Sequence, residues 1–389
     1  MVYAGTHASS FRQASEDLWH EADLQISEQR VMRATKRIGQ ERVAQRDAEV
    51  EAWAELPLPE QQRSPCERIP QVACVEMDGG RIQIRHRKAS EAEQQPGERA
   101  GFWRETKVGC LLTLHSEGGA EDPCPQIPGV FVDPKRMQRM VREIKGFCGG
   151  EVEESGQSEA ESQPRDGRPE ILVRSVVATR QEIHAFGRQL AAAAWQRGFA
   201  AAPRKAFVGD GQEANWTVWR RHFSHYTPVL DFIHALCYVY AAAMAGRHSR
   251  DGWKTYCQWA QWTWSGQVPL VIEALAERQK ELGSPEDDES EESPRSKVAE
   301  ALRYLTNQQS RMHYDRYRRQ GLPITSSHIE STIKQINRRV KGSEKFWSHG
   351  AEPLLQLAAD YLSETAPLAT FWRGRPARAT GQRHYQSAG

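Results

Sequence analysis

The sequence predicts an α/β fold: a sheet with flanking helices, preceded by a helical region and interrupted late by an all-helical insertion. Three observations predict it. Runs of strand periodicity fall at 71–78, 81–87, 106–115, 171–177, 205–209 and 227–231, with helical periodicity at 134–147, 180–198 and 212–223 among them. From Phe232 to about Gln320 the pattern is almost wholly helical. Residues 10–52 place Phe11, Ala14, Leu18 and Trp19 on one helix face and Val31, Ala34 and Ile38 on another.

Taken in order, Ser27 is placed to cap the second N-terminal helix. The basic residues Arg30, Arg33, Lys36 and Arg37 on that helix suit a helix-turn-helix, and equally a helical hairpin with a solvated basic face. Residues 1–55 therefore read as an N-terminal helical, DNA-binding region, and 56–70, rich in Pro, Gln and Arg, as a linker. The first two strands are expected to form a hairpin at Gly79-Gly80. Asp133 and Pro134 suit the start of the helix that follows the third strand. Residues 149–169, poor in apolar side chains and rich in Glu, Ser and Gly, are expected to be a disordered loop. The first part of a ribonuclease-H-like core is expected over 71–231 and the helical insertion over 232–320, with an acidic loop at 285–294. The last part of the core falls at 321–365, and 366–389 is a basic, flexible tail. Hairpin, third strand, helix, strand, helix, strand and late helix is the order of a ribonuclease-H-like domain.

Composition narrows the possibilities. The 389 residues carry 52 Lys and Arg against 51 Asp and Glu, a formal net charge of +1. From Ala301 to Gly389, however, 14 Lys and Arg stand against 6 Asp and Glu, so the balanced total conceals a basic C-terminal end. The seven cysteines include no CxxC pair, which argues against a zinc site, and their odd number without a secretion signal fits a reducing cytoplasm. No 18-residue apolar stretch occurs, and neither a signal peptide nor a membrane span is expected.

Three acidic residues stand out. Asp78 follows Val72-Ala73-Cys74-Val75-Glu76-Met77, Asp210 follows Lys205-Ala206-Phe207-Val208-Gly209, and Glu330 lies where Ile324-Thr325-Ser326-Ser327-His328-Ile329 turns into a helix. Taken singly, these are an Asp-Gly turn, a helix-capping Asp and a solvated helix Glu. Taken together, they supply hard oxygen ligands from separate elements, as a site for two Mg²⁺ ions needs. Asp231 and His234, three residues apart at a strand end, are supporting candidates. Lys334 and Arg338 share the helix face of Glu330, and with Lys341 they are candidates for holding DNA phosphates. Trp347 reads as core, with base stacking as the alternative.

Val75-Glu76-Met77-Asp78-Gly79-Gly80, Phe207-Val208-Gly209-Asp210-Gly211, Leu230-Asp231-Phe232-Ile233-His234-Ala235 and Ser327-His328-Ile329-Glu330-Ser331, followed by Arg338, Lys341-Gly342-Ser343 and Trp347, resemble bacterial insertion-sequence DDE transposases of the Kra type, relatives of the Mutator-like group. The resemblance implies a ribonuclease-H-like catalytic core with a helical insertion and a DNA-binding N-terminal region. It implies a metal-binding triad of Asp78, Asp210 and Glu330, and it matches Asp231 and His234 to a supporting Asp-x-x-His element. Against the family pattern the chain begins inside the helical N-terminal region, so part of the end-recognition module is expected to be missing. The two acidic inserts also depart from that pattern.

The expected activity is metal-dependent cleavage and strand transfer at the ends of an insertion sequence, with two Mg²⁺ ions, or Mn²⁺ in their place. The expected partners are double-stranded DNA, as terminal inverted repeats and target, and further copies of the chain paired on it. The expected location is the cytoplasm, at the nucleoid. Two alternatives stay open: a DNA-binding remnant without turnover, and a ribonuclease-H-like nuclease without strand transfer.

Overall fold

The computed structural model describes residues 1–84, 103–145, 169–341, 346–347 and 350–378. At the N-terminus, α1 (Val2–His7), α2 (Phe11–Ala22) and α3 (Glu28–Ala54) are followed by a single turn, α4 (Leu58–Gln61), within the expected linker. Ser10 caps α2 by accepting the Gln13 N–H at 3.0 Å. Ser27 holds the N-cap position of α3 without a side-chain bond. Val31, Thr35, Ile38, Gly39, Arg42, Arg46 and Val50 are buried along α3 at spacings of three and four, a continuous inward stripe.

Strand β1 (Val72–Ile84) opens on a buried run, with Val72 to Val75 fully enclosed. Burying such side chains stabilises the fold by about 1.5–3 kcal/mol for each larger one. The expected hairpin at Gly79-Gly80 does not form. β1 runs straight through these glycines, which pair with Lys107 and Thr106 of β2 (Trp103–His115). Neither adopts a positive φ. A Cβ on Gly80 would stand 2.8 Å from Thr106 Oγ1, so here glycine serves close strand packing rather than a turn.

After β2 come α5 (Pro134–Lys145), β3 (Glu170–Thr179), α6 (Ile183–Gln196), β4 (Arg204–Gly209), α7 (Glu213–His222) and β5 (Thr227–Leu230). The expected disordered loop at 149–169 lies outside the described residues, apart from its last position. The helical stretch comprises α8 (Phe232–Met244), α9 (Ser249–Trp264), α10 (Val268–Leu282), α11 (Pro294–Gln308) and α12 (Tyr314–Arg319). It ends at α13 (Ser327–Val340), followed by β6 (Phe346–Trp347), α14 (Ala351–Leu362) and α15 (Pro367–Arg378). The expected flexible tail is therefore helical over 367–378, where Leu368 and Phe371 pack with Ile38 and Leu357. Residues 379–389 lie outside the described residues.

The described strands make one mixed sheet in the order β3-β2-β1-β4-β5, with β6 added to the far end of β1. β1, β2 and β3 are antiparallel neighbours, while β4 and β5 run parallel to β1. Adjacent residues of β2 show what covers each face, since successive side chains point oppositely. A Cβ on Gly109 would meet Leu190 of α6 at 2.4 Å, whereas the Cys110 Sγ lies 3.4 Å from Thr332 Oγ1 of α13. Thus α6 covers one face and α13 the other. α14 packs against α13 and along β3, where Ser363 Oγ, just past its end, accepts the Val176 N–H at 2.9 Å.

The helical stretch closes over an aromatic centre in which Phe232 packs edge-on against Phe131, Trp264 and Tyr314. The Tyr256 hydroxyl donates to the Phe131 carbonyl at 2.7 Å and ties the segment before α5 to α9. No helix among the described residues is long and apolar enough to cross a membrane.

Candidate functional site

The parallel part of the sheet aligns the acidic residues. β1 pairs with β4 from Val72↔Arg204 to Glu76↔Val208, and continuing that register by two residues sets Asp78 level with Asp210. β4 pairs with β5 to Gly209↔Leu230, which sets Asp210 beside Asp231. The Asp231 N–H donates to the Gly209 carbonyl at 2.8 Å. Three carboxylates thus lie level across three adjacent strands, which in sheets are about 4.8 Å apart. Asp78 does not end its strand, as the sequence suggested. It lies where the parallel pairing of β1 with β4 stops.

Each acid has different company. Asp78 accepts the N–H of its own successor, Gly79. Burial, and then the neighbouring charge of Asp210, raise its pKa to about 6. Asp210 accepts the Gln212 N–H at 3.0 Å, the Gln212 side-chain amide at 2.8 Å and the Asn215 amide at 2.7 Å. Burial outweighs these bonds and keeps the Asp210 carboxyl above its ordinary range. The loop carrying it is fastened from the helical stretch. Tyr304 of α11 donates to the Asp210 carbonyl at 2.7 Å, and Gln308 donates to the Gly211 carbonyl at 3.1 Å. Gly211 has φ +95°, and a Cβ there would stand 2.7 Å from the Tyr304 hydroxyl, so glycine is required on both counts.

Asp231 is fully buried and fully engaged. One oxygen caps α8 by accepting the His234 N–H at 2.8 Å and also lies 3.1 Å from His234 Nδ1. The other accepts the N–H and hydroxyl of Ser326, at the entry to α13. Burial would raise this carboxyl, but bonds from His234 and Ser326 overcome it and hold Asp231 below the usual range. Burial opposes charge on His234 too, yet Asp231, with Asp210 and Glu330 beyond it, raises its pKa to about 9. The ring is therefore an imidazolium at neutral pH, facing the carboxylates.

Glu330 comes to this place on the first turn of α13. Burial and the charge of Asp231 raise its pKa, His234 and Lys334 oppose that, and its Oε1 is buried without a partner. Glu76, absent from the sequence-based site, holds the same turn. It is fully buried, and its Oε2 accepts the Ile329 N–H at 3.1 Å while Oε1 has no partner. Burial drives its carboxyl well above the ordinary range, and Asp231 and Glu330 add to the effect. A signal existed in the sequence: Glu76 is the one charged residue in an apolar run and lies two positions before Asp78, hence on the same strand face.

Asp78, Asp210, Asp231, His234, Glu330 and Glu76 therefore form one electrostatic group with more acids than its single imidazolium can balance. The donor chemistry suits a hard divalent cation, and the orphaned Glu330 oxygen is a free ligand position. The oxygens do not converge as they stand. Among the described residues, no three His, Cys, Asp or Glu side chains are arranged to hold an ion. The reason is local: Asp78 is turned onto Gly79, and Asp210 onto Gln212 and Asn215.

The basic residues expected to hold phosphates, Lys334, Arg338 and Lys341, are exposed on or just after α13. Lys334 Nζ is 3.0 Å from Glu143 Oε2 of α5, with both side chains largely solvated. Arg339 is buried instead, stacked over Phe11 and Trp347 and donating to the Gly5 carbonyl. Trp347 donates to the Val340 carbonyl at 2.7 Å and packs against the core, as its first reading supposed. No model of a known protein family matches the chain, and no curated protein matches it significantly.

Proposed function

We propose that this chain is a DDE-type transposase that cleaves and joins DNA at the ends of its own element, built on a ribonuclease-H-like core. The observation that carries this reading is the level placement of Asp78 and Asp210 on neighbouring parallel strands, with Glu330 presented beside them on α13. The sheet order β3-β2-β1-β4-β5, with three antiparallel strands and then two parallel ones, supports the same reading.

In this reading Asp78, Asp210 and Glu330 would hold two Mg²⁺ or Mn²⁺ ions. When bound, such ions supply Lewis-acid activation of the attacking oxygen and stabilisation of the leaving one. The rest falls to the chain. Asp231 fixes the His234 ring and the start of α13, so the carboxylates keep one spacing while an anionic substrate enters. The His234 imidazolium offers the scissile phosphate a positive charge and a hydrogen-bond donor. In hydrolysis a water oxygen bonds to phosphorus as the bond to the 3′ oxygen breaks, leaving a 3′-hydroxyl and a 5′-phosphate. In joining, that 3′-hydroxyl attacks a target phosphate and displaces its 3′ oxygen. Each step exchanges one oxygen for another, so no covalent enzyme intermediate is required. DNA ends paired by two or more copies of the chain are the expected working assembly.

The test is nicking and strand transfer on labelled terminal-repeat DNA with Mg²⁺ or Mn²⁺. Asp210→Asn and Glu330→Gln should each lower nicking at least about 10²-fold, with duplex affinity close to that of the parent. Full nicking by either variant overturns the triad. A second reading, a DNA-binding protein without turnover, is favoured by carboxylate oxygens that do not converge. Binding without nicking under either metal would establish it. Nicking without joining of pre-cut ends would define a nuclease.

A further inference from the structure

α5 carries an exposed basic row next to α13, the helix of Glu330. Asp133 caps the helix by accepting the Arg136 N–H at 2.7 Å, with Pro134 at its first position. Met137, Met140 and Val141 turn inward; Met137 is fully buried, and the other two pack against the core. Lys135, Arg136, Arg139 and Arg142 lie on the outer side and are all exposed. None of the four pairs with a carboxylate among the described residues. Glu143 is the helix's one acid, and it is matched by Lys334, one turn beyond Glu330 on α13. The row is thus joined to the helix that bears the third carboxylate.

We infer that α5 is a phosphate-binding helix that grips the DNA backbone next to the scissile position. This rests on the reading of DNA as substrate and adds the surface that holds it. From Lys135 to Arg142 the row spans about 10 Å at 1.5 Å per residue. Its three guanidinium groups suit the planar, two-pronged recognition of phosphate oxygens. A basic amphipathic helix can also lie on an anionic membrane, but that needs a free apolar face. Here that face is spent on the core, which leaves charge alone to recognise the partner. Charge complementarity favours a polyanion with closely spaced phosphates, and duplex DNA is the one whose backbone must pass the Asp78, Asp210 and Glu330 group.

The test uses the full chain and a short fluorescein-labelled duplex of arbitrary sequence, with anisotropy followed across a salt titration. In Arg136→Gln/Arg139→Gln/Arg142→Gln, the slope of log affinity against log salt should flatten by about 2.7, at about 0.9 for each phosphate no longer neutralised. The triple Arg→Lys variant should keep the parental slope. These side chains are exposed, so all the variants should share the parental urea midpoint. A parental slope and affinity in the Gln variant overturns the inference, as does a parent that binds no duplex or binds phosphatidylserine vesicles in preference. The two readings can fail separately. An unchanged slope with loss of nicking in Asp210→Asn removes α5 and keeps the transposase. A flattened slope with full nicking in Asp210→Asn does the reverse.

Discussion

Glu76 illustrates how one side chain can set the position of another. The N–H of Ile329 belongs to the first turn of α13, where its one local partner is the Ser326 carbonyl, three residues back at 3.1 Å. Ser326 does not cap that turn, because its hydroxyl donates to Asp231. Glu76 supplies a second, side-chain acceptor from the central strand, 253 residues away in sequence. Glu76→Ala should therefore remove one of the two acceptors of a buried N–H, at about 0.5–1.5 kcal/mol in urea unfolding. Glu330 should lose its register with it, and nicking should fall. Glu76→Gln retains an acceptor of the same reach and should recover most of both. Equal losses in the two variants would remove the positioning role.

His222 makes a second residue-scale prediction, away from the acidic group. Burial lowers its pKa from 6.5 to about 4, and Arg221, Arg188 and His184 add to the effect. As pH falls, the unfolded chain takes up this proton before the folded one. The contribution of His222 to stability is therefore whole above pH 6.5 and is lost as the pH drops towards about 4. Urea midpoints recorded across that window should decline, and His222→Gln should flatten the decline. An identical decline in the variant would show that other groups govern it.

Among the elements, α3 buries two arginines, Arg42 and Arg46, that the sequence reading did not single out. Arg42 forks onto Asp360 of α14 at 2.8 and 3.0 Å, with both side chains at most 5% exposed. Arg46 reaches Glu352 and Gln356 of the same helix, each at 3.0 Å. Gly39 lets the two helices approach, since a Cβ there would lie 2.5 Å from the Pro353 carbonyl oxygen. Arg30, Arg33 and Arg37 do remain exposed, so the helix has one solvated basic edge and one buried one. Asp360→Ala strands a buried guanidinium and should cost about 3–5 kcal/mol in denaturant unfolding. Arg42→Met with Asp360→Leu should restore most of that loss. A single variant within experimental error of the parent would show that the pair contributes nothing to docking α3 on α14.

At the scale of the whole molecule, much of the order of elements was legible, because apolar periodicity is a local property. α6 and α7 fall within a few residues of their expected spans, as do β4 and β5. Gly79-Gly80 misled for the same reason: a local turn signal cannot report that β2 lies alongside and demands close packing. The helix at 367–378 escaped because its apolar residues matter through packing on α3 and α14 rather than through a strong period of their own. For the site, residue types and their spacing named the candidate acids, and placed Asp231 and His234 one helical turn apart, where they would meet. That Asp78 and Asp210 stand level, that Asp231 is spent on clamping α13, and that Glu76 completes the clamp emerge only in the folded chain. Those relations are set by strand register and by hydrogen bonds between elements distant along the chain, and no local pattern of residue types encodes a register.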